Sequence, residues 1–112
     1  MPADDISFAK DILEAAKDAV DFVSNLSRTE FEEDIKTQAA VIQRLTVIGE
    51  AVKRLTSEFL ERYPDIPWSD MARMRDMLVH YYHRINFTEV WDTIKNDLPA
   101  LIEHIKAFLG ED

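Results

Sequence analysis

The sequence predicts an all-α protein, an up-and-down bundle of four to five helices in a single domain over residues 1–112, on three observations. Apolar residues recur at steps of three and four along most of the chain, the spacing that collects them on one face of a helix. No segment alternates with the period of two that a half-buried strand requires. Chain breakers are few, with two glycines and four prolines, so connections are short and consecutive helices are expected to pack antiparallel.

Ile6, Ala9, Leu13, Ala16, Val20 and Val23 form the first stripe and predict a helix from about Asp5 to Leu26. Thr29 followed by Glu32 fits a capping box, in which hydroxyl and carboxylate satisfy free backbone amides. It opens a second long helix, carried by Ile35, Ile42, Leu45, Val52, Leu55 and Phe59 to about Arg62. Gly49 inside that helix costs up to about 1 kcal/mol relative to Ala, so its presence predicts the close approach of another helix. The run Tyr63-Pro64-Asp65-Ile66-Pro67-Trp68 is a loop, because each proline lacks an amide donor and turns its predecessor from helical angles. A third helix starts between Trp68 and Asp70 and buries Met71, Met74, Leu78, Tyr81 and Ile85. Asn86 with Glu89 caps a last helical region carrying Val90, Trp91, Ile94, Leu98, Leu101, Ile105 and Phe108. Pro99 either kinks that region or divides it at Asp97, and Gly110 supplies its stop.

Bulk properties bound the function. Cysteine is absent, which removes disulfides and thiolate chemistry. The acidic start Met1-Pro2-Ala3-Asp4-Asp5 does not read as a secretory signal, and no apolar run approaches membrane-spanning length, so a cytoplasmic protein without a membrane partner is expected. The net charge of −9 argues against wholesale nucleic-acid binding, since like charge repels the phosphate backbone. Its distribution is uneven. Residues 1–34 hold ten acids against three bases, whereas over 71–84 Arg73, Arg75 and Arg84 face only Asp76, before His80 and His83 are counted. A local anion site can therefore exist on an acidic protein; the plainer reading is an exposed basic face.

The chemistry-bearing residues gather on the third helix. At about 100° per residue, Arg75, Val79 and Tyr82 fall close to one line, Asp76, His80 and His83 on a neighbouring one, and Arg73, His80 and Arg84 on another. Arg75 and His80 diverge by about 140°, so a straight helix does not join them; a two-fold dimer that sets two such helices side by side would. A guanidinium to hold phosphate, an imidazole and a phenol suffice to cleave RNA without metal or other cofactor. RNA carries its own nucleophile, and the protein need only accept the 2′-hydroxyl proton, stabilise the phosphorane charge and protonate the leaving oxygen. Asp76, four residues before His80, is a candidate to orient the imidazole; the alternative is a helix-surface pair of no functional consequence. Asp76, His80 and His83 also have the spacing of a metal triplet, but the Glu-x-x-His and His-Glu-x-x-His signatures are missing, and no metal site is expected.

At these residues the sequence resembles the HepT-like branch of the HEPN domains, the toxin half of a toxin–antitoxin pair. The segment Arg75-Asp76-Met77-Leu78-Val79-His80-Tyr81-Tyr82 matches the pattern of Arg, four residues, His, one residue, Tyr. Supporting matches are Ile48-Gly49-Glu50-Ala51, the Tyr63 to Trp68 loop, Met74, and the pairs Val90-Trp91 and Leu98-Pro99. The resemblance implies a bundle that dimerises, or assembles further, through the motif helix, with a metal-independent endoribonuclease site in the cleft between subunits. It implies that Arg75 binds and polarises the phosphate, that His80 is the general acid/base, and that Asp76 stands where the family has a polar residue. Arg73, Arg84 and His83 are expected to hold flanking RNA phosphates. Tyr82 is implied as the acceptor of AMP from a cognate MNT-type nucleotidyltransferase antitoxin, with Tyr81 as its ambiguous neighbour; the added charge beside Arg75 would repel RNA. The other class of reading is a non-cleaving helical module that binds nucleotides or proteins.

Overall fold

The computed structural model describes residues 3–110, so the expected domain limits at 1 and 112 lie outside the described residues. Its elements are α1 (Ala3–Phe22), α2 (Arg28–Glu33), α3 (Ile35–Arg54), α4 (Ser57–Arg62) and α5 (Trp68–His80), then a 3-10 turn (Tyr82–Arg84), α6 (Phe87–Asp92), a π-helical segment (Thr93–Asp97) and α7 (Leu98–Leu109). With α6, the π segment and α7 taken as one uninterrupted helix, the described residues form a six-helix bundle without strands. The central helices are α1 and α3, with α7 packed against α1 and α5 against α3. Ile12, Val41, Ile48, Ile94, Leu98, Leu101 and Ile105 are fully enclosed between them, each contributing roughly 1.5–3 kcal/mol through removal from water. No helix among the described residues is long and apolar enough to cross a membrane.

The helix count exceeds the four or five expected because the segment from Thr29 to Arg62 is three helices instead of one. The capping box uses Ser27 and Glu30, not Thr29 and Glu32: the Glu30 amide donates to Ser27 Oγ (3.1 Å) and the Ser27 amide to Glu30 Oε1 (2.9 Å). Both pairs satisfy the pattern, and the earlier one wins because it sends Phe31 into the core. At Asp34 the backbone turns extended, and the carboxylate accepts from the Thr37 amide (3.0 Å) and hydroxyl (2.7 Å) to cap α3. Those bonds, the amide foremost, hold the Asp34 carboxyl below its ordinary range. Their contribution to stability is therefore present above the ordinary carboxylate pKa and is lost as pH falls through the lowered one. The Gln38 amide closes the break by donating to the Phe31 and Glu32 carbonyls, each at 2.9 Å. Re-phasing at Asp34 throws Ile35, expected in the core, to 79% exposure.

The second break, after Leu55, is made from a distant part of the chain. Asp5 is 1% exposed, and its carboxylate accepts from the Thr56 amide (3.0 Å) and hydroxyl (2.6 Å). Thr56 Oγ1 in turn caps α4 through the Phe59 amide (3.2 Å), which seats Phe59 against Phe108 at 4.7 Å between ring centroids. Helix α1 ends at Phe22, short of the expected Leu26, in a turn whose Ser24 hydroxyl donates to the Asp21 carbonyl (2.8 Å). The loop from Tyr63 and the Asn86 cap are as expected, the latter accepting from the Glu89 amide at 3.1 Å. Pro99 neither divides the last helix nor leaves it regular. The Leu98 amide reaches back to the Thr93 carbonyl, and this π-helical widening takes up the missing donor and the bulk of the proline ring. Gly110, with φ of +73°, stops α7 in the left-handed conformation that glycine adopts most readily.

The Asp5 bond gives the first test. Asp5→Ala leaves the Thr56 amide without its partner and is expected to lower stability by about 1–3 kcal/mol in urea denaturation, with Asp5→Asn less damaging. An Ala variant with an unchanged midpoint would contradict the assignment of the break to Asp5.

Candidate active site

The site begins with a residue that has no side chain. Gly49 in α3 lies against α5 so closely that a Cβ there would stand 2.2 Å from Arg75 Cβ and 2.9 Å from the Met71 carbonyl oxygen. The close approach expected at Gly49 is thus real, and its partner is the motif arginine. The Arg75 stem is packed into the α3–α5 contact, leaving the side chain 23% exposed. Its guanidinium donates from Nη2 to Glu50 Oε1 (3.2 Å) and from Nη1 to Asp76 Oδ1 (3.1 Å). Arg75 Nε is buried and has no hydrogen-bond partner among the described residues. Asp76 Oδ1 also receives Lys53 Nζ, so two acids and two bases from α3 and α5 form one network. Hydrogen bonds from Lys53, then Arg75, hold the Asp76 carboxyl below its usual range, and Asp76 and Glu50 raise the affinity of Arg75 for its proton.

Asp76 therefore binds Arg75 and Lys53, and among the described residues no hydrogen bond joins it to His80. The expected Asp76-to-imidazole contact is not formed in a single chain; Lys53 and Arg75 both engage Asp76 Oδ1 instead. His80 is the last residue of α5 and is exposed. Since α5 is unbroken between Arg75 and His80, the two side chains leave the helix about 140° apart.

Beyond His80 the expected helix to Ile85 is not present. Residues 79–84 are all exposed, so after Leu78 no apolar face holds the helix to the bundle, and the chain tightens into the 3-10 turn. The Arg84 amide donates to the Tyr81 carbonyl at 2.7 Å. Tyr82 consequently departs from the helical line it was expected to share with Arg75, and Tyr81, expected to face the core, is 62% exposed, as is Tyr82. Ile85 does pack against the core. Tyr82 stacks on His83 with ring centroids 3.9 Å apart. Arg84 ends the turn at the surface, and Arg73 is engaged by Asp70 at 3.0 Å.

The structure thus unites Arg75 with Asp76 and leaves His80, Tyr82, His83 and Arg84 exposed at the end of α5 and in the turn that follows it. Glu50 and Lys53 complete the arginine network; Lys53 had no place in the sequence reading. A signal existed, because the residue four beyond a helix-contact glycine lies on the same face of the helix. Among the described residues no three His, Asp or Glu side chains are grouped to hold a metal ion, so Asp76, His80 and His83 do not make the triplet their spacing allowed. A cleft of about 200 Å³ between α5, α6 and the π segment is lined by Asp70, Glu89, Asp92 and Asp97, with Arg73 among them, and by neither Arg75 nor His80. Burial and the nearby Asp70 raise the Asp97 pKa; four carboxylates against one arginine, itself paired with Asp70, disfavour a phosphodiester in this cleft.

Comparison with known proteins bears on this arrangement. The profile of the family described as "Ribonuclease HepT-like" matches residues 12–108. A candidate RNase of Methanocaldococcus jannaschii is 47% identical over 117 residues, covering all of this chain and 97% of that protein. A second candidate RNase of the same organism is 40% identical over 112 residues, with 99% and 93% covered. The protein named "Probable ribonuclease HepT" of Thermococcus cleftensis is 42% identical over 96 residues, with 82% and 87% covered. No solved structure matches the chain significantly.

The Gly49 contact predicts that Gly49→Ala costs about 1–3 kcal/mol through overpacking against backbone that cannot yield. Chemical denaturation measures it, and a neutral substitution would show that α3 and α5 are not held at this distance.

Proposed function

Since the chain belongs to the ribonuclease HepT-like family, we propose that it is a metal-independent endoribonuclease, the toxin of a cytoplasmic toxin–antitoxin module. The observation that carries this reading is the exposed His80 following, in one helix, an Arg75 whose guanidinium is presented by packing against Gly49. The RNase names of relatives 47% and 42% identical over most of their length support RNA as the substrate.

Arg75 holds the scissile phosphate and stabilises the charge that develops on its oxygens. His80 accepts the 2′-hydroxyl proton, the 2′ oxygen bonds to phosphorus, and the bond from phosphorus to the 5′ oxygen breaks with protonation of that oxygen. The products are a 2′,3′-cyclic phosphate and a 5′-hydroxyl. Because Arg75 and His80 diverge on one helix, the working site is the cleft of a homodimer, in which the second copy's His80 supplies the acid for the leaving oxygen. The exposed Val79, Tyr81 and Tyr82 favour a partner on this face. Arg73, Arg84 and His83 take flanking phosphates, Arg73 after exchange of its exposed Asp70 partner.

Silencing comes from a cognate nucleotidyltransferase that transfers AMP from ATP to the Tyr82 hydroxyl, the phenol oxygen bonding to the α-phosphorus as pyrophosphate leaves. Tyr82 is exposed, stacked on His83 and close in sequence to His80, so an added nucleotide brings negative charge and bulk to the path of RNA. The acidic surface and the engagement of Arg75 by Glu50 and Asp76 favour a second reading, a nucleotide- or protein-binding module without cleavage.

One experiment separates them. Unmodified protein, checked by intact mass for the absence of AMP on Tyr81 and Tyr82, is expected to cleave RNA in the presence of a metal chelator. His80→Ala is expected to lower the rate by at least about a hundredfold with the thermal transition unchanged. Full cleavage by that variant would overturn the assignment, and nucleotide binding without cleavage by the unmodified protein would select the second reading.

A further inference from the structure

The arginine network is more than a support, because it engages both Arg75 nitrogens that a substrate can use, one N–H on each. Arg75 Nε is buried without a partner, so a phosphate has to be taken by Nη1 and Nη2. Both of these nitrogens already donate to carboxylates, Nη1 to Asp76 and Nη2 to Glu50. A phosphodiester arriving there would become a third anion on one guanidinium, and mutual repulsion among the three makes that arrangement unfavourable.

The two carboxylates are not equally held. Asp76 is bound by Lys53 as well as by Arg75, so its charge remains compensated whichever cation it faces. Glu50 has Arg75 as its one ion-pair partner among the described residues, and its side chain is 49% exposed. It lies on α3, one residue beyond the glycine that fixes the Arg75 stem, so releasing the carboxylate moves a surface side chain and leaves the α3–α5 packing intact. The stem stays where Gly49 seats it, and only the anion on Nη2 changes.

We propose that Glu50 is an internal stand-in for the RNA phosphate: it occupies Arg75 Nη2 in the resting protein and is exchanged for the scissile phosphodiester on binding. Glu50 thereby keeps the guanidinium extended along its binding direction and sets a threshold that weakly bound anions do not cross. The inference rests on Arg75 as the phosphate-binding group of the proposed function. It assigns Glu50 a role in substrate affinity, acting through Arg75 and not on the reacting atoms.

The test uses unmodified full-length protein and a fluorescent 2′-O-methyl oligoribonucleotide, which lacks the attacking hydroxyl and reports binding without cleavage. Glu50→Gln is expected to tighten binding about two- to fivefold, the scale of losing one partly exposed ion-pair competitor. Glu103→Gln on α7 removes the same charge away from the network and is expected to leave affinity unchanged. In an Arg75→Lys background, which keeps a cation but lacks the Nη pair, Glu50→Gln is expected to give no gain. Thermal melting confirms that each variant is folded. With unprotected RNA, the gain of Glu50→Gln is expected in KM and not in kcat. Unchanged or weaker binding by Glu50→Gln, an equal gain in Glu103→Gln, or a gain that persists without Arg75 would each overturn the exchange. Failure of the underlying reading has a different signature: Arg75→Lys and Arg75→Gln would bind the oligonucleotide as the unsubstituted protein does.

Discussion

The proposed site depends on the approach of α3 to α5 at Gly49. The missing side chain lets the Arg75 stem and the Met71 carbonyl press against the α3 backbone. A long, flexible arginine thereby loses most of its freedom before any substrate arrives, and the entropy of ordering it is met by folding and not by binding. The same contact carries Glu50 and Lys53 into range of Arg75 and Asp76, so the charge pattern of the site follows from packing.

That pattern resolves the conflict between an acidic chain and a polyanionic substrate. The protein carries −9 overall, but Glu50, Lys53, Arg75 and Asp76 sum locally to zero, and the surface beyond them presents His80, His83 and Arg84. Net charge opposes RNA over long distances, while the cations at the end of α5 attract phosphate at short range in the proposed site. Such a balance suits a nuclease that has to be selective, because non-specific attraction contributes little to affinity and local contacts contribute most. The termination of α5 at His80 belongs to the same design. With residues 79–84 outside the core, histidine and tyrosines stand free of the bundle instead of filling it.

Much of this was legible in the chain. The three-and-four stripes carried the all-α class, the prolines the loop before α5 and Gly110 the stop of α7; the cost of glycine inside a helix pointed to a close helix contact at Gly49. What escaped was decided by competition among equivalent local signals or by distant residues. Ser27 and Thr29 both open plausible capping boxes, and the one that forms, at Ser27, goes with a buried Phe31. The break after Leu55 is made by Asp5, fifty-one residues from the Thr56 it binds, which no local pattern reveals. The partner of Asp76 was misjudged because helical spacing names His80, whereas the packing supplies Lys53 and Arg75. Helical period also overran the end of α5, since Tyr81 falls on the apolar stripe but finds no core opposite it.

The central claim is that RNA supplies the nucleophile while Arg75 and His80 manage charge and protons. It is tested most directly by the chemistry of the cut ends. Mass spectrometry of fragments produced by unmodified protein in the presence of a chelator is predicted to show 2′,3′-cyclic phosphate and 5′-hydroxyl termini. Fragments bearing 3′-hydroxyl and 5′-phosphate ends, or cleavage of a strand whose 2′ positions are all methylated, would contradict the account.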